Sequence, residues 1–143
     1  MFTRLSLLFS PQFIKFCVVG GLGLLTDQSI FFLLTLVIDH SGPFINVIWV
    51  VGYAVAVLQN YLINHYWTFK AQTQDTHASS RGFISFFAIS LTALIPRFIT
   101  YKAVLIVLGA SPLTLNLANL CGIGAGTVVN FFGSKFLVFK NKN

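Results

Sequence analysis

The sequence predicts an all-α membrane protein: four transmembrane helices built as two parallel helix-pair repeats, with the N- and C-termini cytoplasmic. Three observations carry that expectation. Hydrophobic residues make up 56% of the 143 and charged residues only 8%, against about a quarter charged in soluble domains. A chain this small cannot hide so much apolar surface in a core of its own. Four apolar runs are long enough to cross a bilayer, which takes about 20 helical residues. The cations, nine Lys and Arg against three Asp, mostly flank those runs on one side. A nucleic-acid binder is also basic, but carries clustered cations on polar faces, so nucleic acid is not an expected partner.

The N-terminus holds Arg4 and a short apolar patch, Leu5 to Phe9, broken by Ser10-Pro11. The run after it is too long for a signal-peptide core and lacks a small-residue cleavage site, so no processing is expected. The first span is placed at 13–38, where Gly20, Gly23 and Asp27 share one helical face. Helix is the expected state throughout, because strand alternation is absent and lipid requires every backbone group to be paired. Asp39-His40-Ser41-Gly42-Pro43 then reads as a tight turn.

The second span is placed at 44–66. Its Asn46, Trp49, Tyr53, Asn60 and Asn64 recur at spacings of three, four or seven, forming one polar stripe. Such amides serve either as glue between helices, at about 0.6–2 kcal/mol per pair, or as the lining of a polar path. A polar linker, residues 71–82, follows. The third span, 83–108, contains Pro96 just before Arg97, and a mid-helix proline frees the carbonyl four residues back, at Thr92. Lys102 is close enough to the far helix end to be expected to snorkel towards it. Gly109-Ala110-Ser111-Pro112 makes the second tight turn. The fourth span, 114–137, carries Asn116, Asn119, Gly126, Asn130 and Ser134 along one stripe, and Gly122-x-x-x-Gly126 permits close helix packing.

Arg4, Lys15, Lys70, Arg81, Lys135, Lys140 and Lys142 fall on the side of the termini and the linker, whereas the two short turns carry no Lys or Arg. The positive-inside rule therefore places the termini and linker in the cytoplasm. Cys17 and Cys121 lie at different expected depths, so they are read as ordinary buried thiols rather than a bridge.

The stretch NYLINHYWTFK at 60–70 returns as NFFGSKFLVFK at 130–140. Sliding the chain by this offset of 70, without gaps, also brings Phe13, Ile14 and Phe16 onto Phe83, Ile84 and Phe86. Ser41 falls on Ser111, Asn46 on Asn116, Gly52 on Gly122 and Asn60 on Asn130. The expected organisation is a single transmembrane domain over 1–143, with repeats 13–70 and 83–140. Both repeats would start in the cytoplasm, as in transporters whose halves are related by an axis along the membrane normal.

Where the copies disagree, Asp27 falls on Arg97. Each is about eleven residues from the outer helix end, roughly 16 Å deep at ~1.5 Å per residue. An unpaired charge there costs about 2.5–3.5 kcal/mol, so such residues pair or serve a pathway. A structural Asp27–Arg97 bridge and a substrate role are both open, and they can coexist. Counted with Lys102, the three leave one surplus positive charge, which an anionic ligand would balance. At the cytoplasmic mouth stand Asn60, Asn64, His65, Asn130 and Lys135, ringed by Lys15, Lys70, Arg81 and Lys140. The outer cations read mainly as topogenic or headgroup-binding, and Trp67 and Phe69 as interfacial aromatic anchors.

Lys15-Phe16 with Val19-Gly20 and Asp27, then NYLINHYWTF, then NFFGSKFLVF, resemble the GtrA-like family over about 13–140. The resemblance implies a four-helix, multi-pass protein of the inner (cytoplasmic) membrane. It also implies translocation of a polyprenyl-phosphate-linked monosaccharide, such as undecaprenyl-phosphate glucose, for cell-surface polysaccharide synthesis or modification. The positions matching its motifs are Lys15, Asp27, Asn60, Asn64, Trp67, Asn130 and Lys135. His65 stands where the family often has Arg, and Leu137 where an aromatic would echo Trp67.

On this reading Lys135 and Arg97 meet phosphate, with Lys102 adding charge, while Asp27, Asn60 and Asn130 meet sugar. Membrane lipids, a membrane glycosyltransferase and a second copy of the chain are the other expected partners. No cofactor, metal or covalent chemistry is expected, because no nucleophile–base–acid set is visible. Two alternatives stay open: a non-transporting anchor of a glycosyltransferase, and a small multidrug-type exporter, which Arg97 and Lys102 disfavour by repelling cations.

Overall fold

The computed structural model describes residues 6–38, 44–74 and 76–140, and these form helices joined by short turns, with no strand among them. The chain divides into two compact units, Met1–Ala78 and Ser79–Asn143. Each is a helical hairpin, described here in turn. The first expected turn, at 39–43, lies outside the described residues.

In the first unit, a 3-10 turn at Ser6–Phe9 leads into α1, Pro11–Val37. Ser10 caps α1 by accepting the Phe13 N–H at 3.2 Å, and Pro11 opens the helix where a missing N–H costs nothing. The return helix, α2, spans Phe44–Ile63 and runs into a π turn, π1, at Asn64–Thr68. There the Phe69 N–H donates to the Asn64 carbonyl, five residues back, at 2.8 Å. A π turn rotates the helix end by one extra residue. Thr68 and Phe69 are thereby buried, whereas Trp67 stays 43% exposed. Phe69 meets Phe16 of α1 edge-on, with ring centroids 6.1 Å apart.

The polar linker starts as a short helix, α3, Lys70–Thr73, folded back on its own hairpin. Thr73 donates its hydroxyl to the His65 carbonyl at 2.6 Å. The His65 imidazole hydrogen-bonds the Thr76 carbonyl at 3.1 Å, and Gln12 of α1 donates to Gln72 at 2.8 Å. His65 is buried, and its position explains a polar ring in that place: it ties the linker down.

The second unit opens with α4, Ser80–Thr92, capped by Ser79, and continues after a break at Ala93 as α5, Leu94–Leu108. The break lies just before Pro96, where the sequence predicts an unpaired carbonyl. Gly109 then turns the chain with φ of 74°, a backbone region that a side chain would strain. Ser111 and Thr114 form a reciprocal capping box at the start of α6, Pro112–Gly133. A second π turn, π2, at Ser134–Val138 ends that helix. Phe139 donates to the Ser134 carbonyl at 2.8 Å, and its ring lies 6.0 Å from Phe86.

The features of one hairpin recur in the other seventy residues on. Both π turns do so, as do both Phe pairs and the buried positions Gly52 and Gly122, Tyr61 and Phe131, and Asn64 and Ser134. The NYLINHYWTFK and NFFGSKFLVFK stretches are thus the same device: a helix end widened by a π turn so that its last Phe packs inward.

Large apolar side chains point outward instead, among them Leu25 at 67%, Ile106 at 83% and Leu113 at 79% exposed. Three stretches, Pro11–Val37, Ser80–Leu108 and Pro112–Val138, are long and apolar enough to cross a membrane. Helix α2 is 20 residues long. Both cysteines are free and exposed, which corrects the expectation of buried thiols. The habit of burying Cys belongs to proteins in water; a chain that faces lipid gains nothing by turning a small apolar side chain inward.

Candidate functional site

In the first unit, polar residues line the crossing of α1 and α2 from the linker end to mid-helix. Gln12 donates to the Thr68 carbonyl at 3.2 Å. Asn60 lies against Gly23, where any Cβ would collide with its amide. Thr26 donates to Gln59 at 2.9 Å. Asp27 lies across from Gly52, where a Cβ would stand 2.6 Å from the carboxylate. The glycines let polar heads sit between two helices that are otherwise apolar.

This seam is incompletely paired. Among the described residues, Asn60 Oδ1, Asn64 Oδ1 and Thr68 Oγ1 are buried with no hydrogen-bond partner. Asn64 is 2% and Thr68 6% exposed. An orphaned buried acceptor costs about 1–3 kcal/mol. Beside them Lys15 places its ammonium over the Trp67 ring, 5.2 Å from the centroid, an arrangement that holds the cation while leaving its other donors open. Four sequence-predicted residues, Lys15, Asn60, Asn64 and Trp67, therefore belong to one end of one hairpin.

The second unit places its residues differently. Arg97 donates to Asn119 Oδ1 at 3.3 Å. Gly122 and Gly126 accept the backbone of α5 closely: a Cβ on Gly122 would stand 2.7 Å from the Arg97 carbonyl oxygen, and one on Gly126 would stand 3.0 Å from that of Ala93. Lys102 does not reach towards the Gly109 end, as snorkelling required. Its ammonium folds back over Phe98, 5.5 Å from the ring centroid, the direction that helical side chains take by default. Asn116 spends its amide on the Pro112 carbonyl, at 2.7 Å, and so serves its own helix rather than a stripe. Lys135 lies over Phe131 at 5.6 Å. Asn130 Oδ1 has two hydroxyls near it, Ser134 at 3.4 Å and Ser90 at 3.5 Å.

Thr68, Gln12, Gln59 and Gly52 were missed as parts of the site. Gly52 had a signal, since it matches Gly122 across the offset. Thr68 had none, because only the π turn carries it inward. The side chains of Asn46 and Trp49 are not among those described.

Residues 15–139 match the family described as GtrA/DPMS, transmembrane domain. The chain belongs to this family. The match takes in both hairpins and both π turns. With its apolar helices it makes the chain a multi-pass membrane protein, of a family associated with lipid-linked sugars. No curated protein matches the sequence. The GtrA/DPMS match does not assign individual residues, so the roles of the two polar seams rest on their geometry.

Proposed function

We propose that this protein moves a polyprenyl-phosphate-linked monosaccharide, with undecaprenyl-phosphate glucose as the working substrate, from the inner to the outer leaflet of the cytoplasmic membrane. The observation that supports this best is the seam of unpaired buried amides beside Lys15 and Trp67. Hydrocarbon makes such groups costly, and a headgroup with hydroxyls and a phosphate is the ligand that would satisfy both. Arg97, Lys102 and Lys135 supply further positive charge for the phosphate, and Asp27 is a further candidate for the sugar. The polyprenyl tail would stay in lipid. The protein binds and releases; it breaks no covalent bond.

The same proposal includes four spans, a duplicated helix pair, and cytoplasmic termini. Its support is the recurrence of both π turns and both Phe pairs at an offset of seventy, with the one-sided cations. Labelling tests the orientation. Because both native thiols are exposed, they are first removed. A cysteine at Ser41 or Ser111 should then react with an impermeant reagent outside intact cells, and one at His77 only after permeabilisation. Outside labelling at 77 would reject the parallel arrangement.

Transport itself is tested in proteoliposomes loaded with undecaprenyl-phosphate glucose, scored by headgroup reaching the outer face. Protein-dependent exposure is expected. If none occurs, but the chain retains a glycosyltransferase in the membrane, it is an anchor and not a carrier.

A further inference from the structure

The two hairpins treat the same buried amide in opposite ways. In the second, Asn130 Oδ1 has the Ser134 hydroxyl at 3.4 Å, while the Ser90 hydroxyl, 3.5 Å away, donates to the Phe86 carbonyl at 2.9 Å. Seventy residues earlier those two positions are Gly20 and Asn64. The second of these replacements exchanges the donor for another amide, whose own oxygen is unpaired among the described residues. The result is three acceptors, on Asn60, Asn64 and Thr68, buried without a donor among the described residues.

The geometry points to a hydroxyl-reading subsite confined to the first hairpin, in which Asn60 and Asn64 accept from the sugar of the carried lipid while Asn130 is met by its own Ser134. This rests on the transport reading above and divides its labour: sugar selection belongs to Asn60, Asn64 and Thr68, and Asn130 is a packing residue. Four residues of helix separate Asn60 from Asn64, about 6 Å of rise, close to the width of one pyranose ring. Trp67, which is 43% exposed, offers a flat apolar face of the kind on which the C–H side of a sugar stacks. The ligand class is therefore a neutral sugar presenting hydroxyl donors, with Lys15 near enough to Trp67 to meet an adjoining phosphate.

A subsite of unpaired acceptors is unstable when empty, and that makes it testable. Asn64→Ser restores the donor present at Ser134. Asn64→Leu removes an orphaned amide with little change of shape. The full chain in nanodiscs is titrated with undecaprenyl-phosphate glucose and with undecaprenyl phosphate, and its Tm is measured without ligand. The wild type should prefer the glucosylated lipid by about tenfold, the worth of one or two net hydrogen bonds. Asn64→Ser and Asn64→Leu should each raise the ligand-free Tm and erase that preference, leaving affinity for the bare phosphate lipid unchanged. Asn130→Leu should instead lower the Tm, because it strands the Ser134 hydroxyl.

If Asn64→Leu lowers the Tm as Asn130→Leu does, the amide is interhelical glue and the subsite is rejected. Rejection also follows if the preference survives both substitutions, or if the wild type binds the two lipids equally; transport would then still stand. Binding of neither lipid would overturn the transport proposal and this inference with it.

Discussion

Gly122→Val should destabilise the detergent-solubilised protein by about 2–3 kcal/mol, in the upper part of the range for overpacking a tight helix crossing. The Cβ would stand 2.7 Å from the Arg97 carbonyl oxygen and 3.3 Å from its Cγ. The first of these is backbone in the first turn of α5, so no rotamer change relieves it and the two helices must part. Gly124 is the control, two residues away on the open face, with nothing within 4 Å of its Cβ position. Gly124→Ala should be neutral or slightly stabilising, by about 0.5–1 kcal/mol, since an open helical Gly carries only its entropic cost. Thermal unfolding followed by size-exclusion recovery compares the two. Equal Tm values for Gly122→Val and Gly124→Ala would mean that α5 and α6 do not cross at this glycine.

Arg97→Gln should lower transport of undecaprenyl-phosphate glucose by about ten- to a hundredfold, the equivalent of losing one charge-assisted hydrogen bond worth ~1.5–3 kcal/mol. Arg97→Lys should fall between that variant and wild type: it keeps the charge but loses the planar fork that meets phosphate oxygens two at a time. The side chain is exposed from its own hairpin, and its bond to Asn119 is long at 3.3 Å. It is therefore weakly committed to structure and available to a ligand. Rates are normalised to the folded fraction, so a loss of fold and a loss of function are read apart. Wild-type transport by Arg97→Gln would remove the phosphate role from this residue.

Several elements were legible because they depend on local chemistry. Ser-Pro and Gly-x-Ser-Pro signals placed the starts of α1 and α6 within a few residues, at Pro11 and Pro112. Pro96 announced the break at Ala93. The Asn60-to-Lys70 motif and its partner at 130–140 marked the two helix ends that prove to be π turns, although nothing in residue spacing distinguishes a π turn from an α turn. Other expectations failed for one shared reason. Burial of the cysteines, snorkelling of Lys102 and the membership of Asn116 in a polar stripe were inferred from residue type. What decides each is the local face of the helix: outward for Cys17 and Cys121, back along α5 for Lys102, and onto its own first turn for Asn116.

By itself, the sequence determined that this protein lives in a membrane and, within a few residues, where its described helices begin. Those properties follow from the length of apolar runs, from proline and glycine chemistry and from the placement of charge, all of which act within a few residues. Only the tertiary structure decided which polar atoms are paired. Asn60 and Asn130 are the same residue in the same motif, yet one faces a glycine and the other has two hydroxyls near it. Hydrogen bonding depends on what the neighbouring helix brings within about 3 Å, and a neighbour forty residues away in the chain is set by how two helices cross.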